Sequence, residues 1–210
     1  MLIIGAKGFA KELLEIFHRK NQTESLCFYD DVNADITDFL FEKFKVLKTE
    51  NEAKEYFEKI SPEFVIGIGN PKLRKFLYEK FTNLGGKCVS IISENAEVGS
   101  YGNTIENGTI ITSGTIITND IKIKKGTMIN LSCTIGHDSI IGEFVEICPN
   151  VSISGRCKIG DLVFIGTGAT ILPDKKKKKN SIIAAGSVVN KNVPDNVLVA
   201  GIPATIKKEL

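Results

Sequence analysis

Residues 129–147 read INLSCTIGHDSIIGEFVEI, with Ile129, Ile135, Ile141 and Ile147 six residues apart. Outward from this stretch the count holds without a miss from Ile105 to Ile171; Lys177 breaks it, and Ile183 and Val189 resume the phase. Neither a helical period near 3.6 nor a strand alternation of 2 produces this spacing. A fixed short repeat means stacked, equivalent units, and a six-residue unit marks a parallel β-helix. Each step gives one short strand and one corner, three steps close a triangular coil, and equivalent isoleucines stack along the axis. Branched Ile suits extended backbone and packs well against copies of itself.

The corners agree with this register. Gly136, Gly142, Gly160 and Gly166 directly follow a ladder Ile, as does Asn130; Gly and Asn tolerate positive φ, and Gly tolerates close backbone approach. Four residues after each Ile a second inward seat holds a small or β-branched group: Thr109, Thr115, Thr127, Cys133, Ser139, Val145, Val151, Cys157, Val163, Ala169. Lys175 and Lys177 occupy inward seats, and burying two ammonium groups is costly. The Lys175–Lys179 run is therefore expected to bulge out as a solvated loop, with a contact to ligand phosphates as the sharper alternative.

Before about residue 92 the period is absent. Leu2–Ile4, Leu26–Tyr29 and Phe64–Ile68 read as buried strands, and residues 11–20, 50–59 and 72–84 as helices, with Gly5–Ala10 as a tight turn. Such alternation predicts a small parallel α/β sheet, which binds ligands at the carboxyl ends of its strands. Gly5, Gly8, Asp30, Asp31, Gly69 and Asn70 stand there. The glycines are explained equally by a turn and by a ligand, and the acids equally by a bound ribose or base and by loop capping. The predicted division is 1–92, a Rossmann-like α/β domain, and 93–210, the β-helix.

Composition narrows the function classes. A net charge of +2 argues against binding driven by phosphate neutralisation of a nucleic acid. No signal peptide or membrane-length apolar run is read, and five cysteines without a C-x-x-C pair suit a reduced, cytoplasmic compartment. His18, on the first helix, reads as structural. His137 sits just past a corner glycine, where packing does not require it. His suits general-base work at its ordinary pKa, and Asp138 or Glu146 would orient the ring; a surface histidine is the bland alternative. A zinc enzyme of the carbonic anhydrase type needs three histidines, which the solenoid does not supply. An ice-binding solenoid would carry outward threonine ranks, whereas these threonines take inward seats.

The whole chain resembles the bacterial sugar acyltransferases of the hexapeptide group, those related to sialic-acid O-acetyltransferases and to N-acetyltransferases of nucleotide-linked amino sugars. The resemblance rests on Gly5-Ala6-Lys7-Gly8, Asp30-Asp31, Ile66-Gly67-Ile68-Gly69-Asn70, Asn130 ahead of His137, Ile141-Gly142-Glu143-Phe144, Ser154-Gly155 and Gly201-Ile202-Pro203-Ala204. It implies a left-handed β-helix, a homotrimer with active sites between subunits, and direct acetyl transfer from acetyl-CoA without a metal. His137 would be the base and Asp138 its partner. Asn130 would hold the sugar, the Gly155 N–H would face the thioester carbonyl, and Thr167 and Ala185 would line the CoA groove. Gly8, Phe9, Asp30, Asp31 and Asn70 would meet the nucleotide. Phe9 and Glu146 replace histidines of many relatives, so the acceptor side departs from the pattern. The expected activity is N-acetylation of a nucleotide-linked amino sugar for surface glycan synthesis, with no membrane or nucleic-acid partner. The alternatives are sugar O-acetylation and a non-catalytic structural β-helix.

Overall fold

Leu2–Ile4 (β1) is apolar at every position and wholly buried, as befits a central strand of a parallel sheet covered on both sides. It pairs in parallel with Cys27–Tyr29 (β2) on one side and Glu63–Ile66 (β5) on the other. With Phe39–Leu40 (β3), Phe44–Leu47 (β4) and Lys87–Cys88 (β6), these make one sheet in the order β3-β4-β2-β1-β5-β6. The helix Gly8–Arg19 (α1) buries Ala10, Leu13, Leu14, Ile16 and Phe17. Gly67 lets this helix come close, since a Cβ there would lie 2.7 Å from the Ala10 Cα. Glu50–Lys59 (α2) opens on a capping box between Thr49 and Glu52, and Pro71–Asn83 (α3) follows β5.

Two sequence expectations are corrected in this part. α1 begins at Gly8, so Gly8, Phe9 and Ala10 are helical rather than turn residues. The β3–β4 hairpin was not read, because its turn carries positive φ at Phe41 and Glu42 instead of the Asn or Gly that signals such turns.

The computed structural model describes residues 1–177 and 179–210. They divide into two compact units, residues 1–69 with 73–90 and residues 70–72 with 91–210. In the second, two-residue strands stack into a parallel β-helix. Ile129 pairs with Ile147, eighteen residues on, and Ile147 with Ile165, so three hexads make one coil. The first face runs from Ile91–Ile92 through Met128–Ile129 and Glu146–Ile147 to Ile182–Ile183, and then takes in the closing hairpin Val197–Gly201 and Ala204–Glu209. The second face carries Thr134–Ile135 and Ser152–Ile153, and the third Ile140–Ile141 and Lys158–Ile159.

The ladder isoleucines from Ile111 to Ile171 are buried, as are all ten small inward residues named above. Buried hydroxyls and thiols need partners, and the small seats share one solution: each donates to a carbonyl fifteen residues ahead. Thr115 Oγ1 donates to Asn130 O (2.9 Å), Thr127 Oγ1 to Gly142 O (2.7 Å) and Cys133 Sγ to Cys148 O (3.1 Å).

The corner glycines meet one of their two expected demands. Gly136, Gly142 and Gly166 sit where a Cβ would come within 2.5–2.6 Å of the next coil's backbone. Positive φ falls two residues later, at Asp138, Phe144 and Gly168.

The lysine run does not bulge at the described residues. Lys176–Lys177 continues the third face, paired with Lys158–Ile159, and Lys158 N donates to Lys175 O at 2.9 Å. It is the last strand of its face, so these seats lie at an end of the ladder rather than deep within it. Lys178 lies outside the described residues.

Candidate active site

His137 follows the second face, on the edge that leads to the third. Its carbonyl accepts from Arg156 N (2.8 Å), and Asp138 N donates to Asn119 O (3.2 Å), so coil-to-coil bonds hold the corner from above and below. The His137 Nδ1 lies 2.6 Å from Asp138 Oδ2, and both side chains are about half exposed, 55% and 54%. A carboxylate only accepts, which places a proton on Nδ1 and leaves Nε2 with a lone pair.

Gly155, one coil above, lies against the ring: a Cβ there would stand 2.7 Å from Nε2 and 2.8 Å from Cε1. Its own N–H makes no hydrogen bond among the described residues, which leaves a donor without a partner next to the imidazole. Above it Asp174 N donates to Gly155 O (3.1 Å). Arg156 grips Asp174 through two bonds of 2.7 and 3.0 Å, which holds that carboxyl below its ordinary range.

The remaining β-helix candidates stand elsewhere on the prism. Asn130 lies on the edge between the first and second faces, its Oδ1 accepting from Leu131 N at 2.8 Å. Thr167 and Ala185 are exposed on that same edge, on neighbouring coils joined by Gly186 N to Thr167 O (2.9 Å). Glu146 is buried on the first face between Met128 and Phe164. Thus His137, Asp138 and Gly155 are together within the chain, while Asn130, Thr167, Ala185 and Glu146 occupy a different part of the solenoid.

In the α/β unit a cavity of about 170 Å³ opens at the carboxyl ends of β1 and β2, lined by Gly5, Tyr29, Asp30, Asp31, Val32, Asn33 and apolar neighbours. Asp30 is buried and already engaged: Oδ1 accepts from Asn33 N (2.9 Å), and both oxygens accept from Asn33 Nδ2. It organises the loop, and Asp31 is the acid left facing outward. Asp31 accepts from the Tyr29 hydroxyl (2.8 Å) and pairs with Lys80 (3.4 Å). Burial, reinforced by Asp31, pushes the Tyr29 phenol well above its ordinary pKa. Gly8 and Phe9 form the first turn of α1, which has no side-chain cap. Neither they nor Asn70 line this cavity.

Tyr29, Asn33 and Lys80 were not read as site residues. Asn33, three after Asp30, was the one local signal, of the kind Asx turns give; Lys80 arrives from a distant helix. Arg74, also unread, is buried and donates to the carbonyls of Ile68 and Gly69, fixing the loop after β5. Among the described residues no group of three or more His, Cys, Asp or Glu is placed to hold a metal ion, and no helix is long and apolar enough to cross a membrane.

Comparison with known proteins matches residues 1–81 to the PglD N-terminal domain and residues 138–173 to the bacterial transferase hexapeptide (six repeats). GDP-perosamine N-acetyltransferase of Escherichia coli O157:H7 is 30% identical over 96% of this chain and 93% of its own length. A mutant of perosamine N-acetyltransferase from Caulobacter crescentus, in complex with CoA and GDP-perosamine, superimposes with a TM-score of 0.91 at 27% identity. That match covers 99% of this chain and 96% of the other. The acetyltransferase domain of PglB from Neisseria gonorrhoeae, in complex with acetyl coenzyme A, gives a TM-score of 0.87 at 27% identity and 98% coverage of both chains. Against the galactoside O-acetyltransferase of Lactococcus lactis the chain spans about half the relative's length, 48%, at 31% identity over 39% of this chain. With the two family models matched in order and the GDP-perosamine N-acetyltransferase aligned over 96% of this chain and 93% of its own length, the chain belongs to the bacterial sugar acyltransferases that join a PglD-type N-terminal domain to a hexapeptide-repeat β-helix.

Proposed function

We propose that this protein transfers the acetyl group of acetyl-CoA to the amine of a nucleotide-linked amino sugar. The observation that carries the reading is the His137–Asp138 pair, ordered at 2.6 Å beneath the unbonded N–H of Gly155. His137 Nε2 takes the acceptor's proton as the amine attacks the thioester carbonyl, and Asp138 stabilises the imidazolium through Nδ1. The Gly155 N–H meets the negative charge that grows on the carbonyl oxygen. His137 then returns its proton to the departing thiolate, which balances the step. Acetyl-CoA supplies the activated acyl group.

The α/β unit takes the nucleotide in this reading, with the apolar-walled cavity for the base and Asp31 as the outward acceptor. Gly8 and Phe9, at an uncapped helix start, suit the phosphates. Asn130 and Glu146 fall to the sugar, and Thr167 and Ala185 to the CoA arm. Because these stand on a different edge from His137, the complete site draws on a neighbouring subunit. This supports a homotrimer; the reading also places the protein in the cytoplasm and in surface polysaccharide synthesis, as suits an enzyme of a nucleotide-linked amino sugar.

A thiol-release assay with acetyl-CoA against UDP-, GDP- and dTDP-linked amino sugars tests the assignment. One nucleotide carrier is expected to stand out, and His137→Ala is expected to lower kcat by ~10²–10⁴-fold. Near-full activity of that variant removes His137 from the mechanism. Acetylation of free sugar hydroxyls, with no amino sugar turned over, replaces N- by O-transfer.

A further inference from the structure

Asp138, Arg156 and Asp174 stand eighteen residues apart, so they hold the same place on three successive coils of the His137 edge. All three have positive φ, 58°, 60° and 63°. Coil-to-coil bonds tie them to the site: Arg156 N donates to His137 O, and Asp174 N to Gly155 O. Coils stack at the strand spacing of ~4.8 Å, a step that an arginine side chain spans either upward or downward. Arg156 thus has one carboxylate a coil above and another a coil below. It takes the upper one, with Nε 2.7 Å from Asp174 Oδ1 and a second bond of 3.0 Å to Oδ2. The lower one, Asp138, keeps His137 as its one hydrogen-bond partner among the described residues.

This partition decides which proton the ring carries. The bonded Asp174 first, and then the charge of Asp138, raise the Arg156 pKa, so the guanidinium feels both acids. Both carboxylates are about half exposed, and packing shuts neither off. A guanidinium offers a carboxylate two parallel charge-assisted bonds, where a neutral imidazole offers one. An unoccupied Arg156 would therefore compete with His137 for Asp138. The imidazole would then have nothing to hold its proton on Nδ1, and a proton on Nε2 removes the lone pair that takes the acceptor's proton. Asp120, one coil below Asp138, is no second claimant: it is an acid, and its carboxylate lies against Gly102.

We propose that Asp174 is a positioning residue for the acyl transfer: by occupying Arg156 it keeps Asp138 on His137 and the base in its working tautomer. The proposal rests on the reading of His137 as the general base. Asp174 touches no reacting atom. The competing role, a plain coil-to-coil ion pair, would add a little stability and leave the ring unaffected.

The test follows the ring directly. The chain has two histidines, His18 and His137, so nitrogen-15 labelling of histidine in the full chain gives two sets of ring signals in NMR spectra, with His18→Gln to assign them. The parent, Asp174→Asn and Asp174→Asn/Arg156→Gln are compared at about pH 8.5. Asn tolerates the left-handed backbone at position 174, so the single variant keeps its corner. In the parent the proton is expected on Nδ1. In Asp174→Asn the ratio of the Nδ1–H to the Nε2–H form is expected to fall by roughly fivefold, the scale of one exposed ion pair. Removing Arg156 as well is expected to restore it. In thiol release from acetyl-CoA with the amino sugar that the carrier screen selects, kcat is expected to follow the same pattern, with KM for acetyl-CoA unchanged. An unaltered tautomer in Asp174→Asn overturns the proposal. So does a change that Arg156→Gln leaves uncorrected, because the effect would then not run through the guanidinium. A tautomer that shifts and recovers while kcat does not respond keeps the ordering of the ring by Asp174 and overturns the base reading of His137 instead.

Discussion

A methyl group at Gly155 would meet the His137 ring with Nε2 2.7 Å away. Gly155→Ala keeps the backbone N–H but must tilt the imidazole, and a displacement near 1 Å costs roughly 10²-fold in rate. A kcat drop of that size with an unchanged melting temperature is expected; parent-like kcat would mean the ring has room to spare. Cysteines make a second residue-scale case. Burial pushes the Cys133 thiol up to about 11 and Cys88 up to about 12, so neither offers thiolate at neutral pH. Each folded pKa lies above its unfolded value, so their contribution to stability is complete below about pH 8.5 and is lost as pH rises towards 11 to 12. Melting temperature followed from pH 8 to 11 should fall, and less steeply in Cys133→Ala. At this scale the sequence was legible wherever the count of six applied. His137 stood out as a polar group just beyond a ladder position, and eighteen residues on the count lands on Gly155. Asp30 was legible as a candidate but not as a loop organiser, since its partner Asn33 matters only through side-chain geometry.

Strands of two residues have little to hold them individually, and the stacked isoleucines supply the cohesion. Ile147 is fully buried in the middle of the stack, whereas Ile105 near its start is half-buried. Ile147→Ala is therefore expected to cost about 2–5 kcal/mol in urea unfolding, and Ile105→Ala clearly less; equal costs would show that the ladder does not act as one core. Elements were legible in proportion to how repetitive or amphipathic they are. The solenoid strands from Thr104 to Ile171 followed from the period, and α1 from the helical spacing of Leu13, Leu14, Ile16 and Phe17. The β3–β4 hairpin escaped because Phe41 and Glu42 adopt turn conformations without turn-type residues. The lysine strand was expected to leave the stack; its backbone instead pairs with Lys158–Ile159 as the last strand of its face.

Across the molecule, the β-helix residues of the proposed site divide between the His137 edge and the Asn130–Thr167–Ala185 edge with its adjoining first face, and in the proposed reading a neighbouring subunit brings the two together. Subunits carrying His137→Ala and subunits carrying Ala185→Trp should each be inactive alone. Unfolding and reassembling them as a mixture is expected to restore measurable turnover, because some interfaces then pair an intact base with an intact groove. A mixture that stays inactive would place the whole site within one chain, and sedimentation gives the number of subunits directly.

The three-hexad coil has a consequence for how such a chain can change length. Removing six residues between His137 and Gly155 would leave the apolar rhythm intact, yet turn everything downstream by one face. The residue then standing over the imidazole would be Asp161 rather than a glycine. Eighteen is the smallest loss or gain that restores the phase. The solenoid thus has a reading frame of its own, in which hexads are letters and only whole words of three can be inserted or lost without garbling the site.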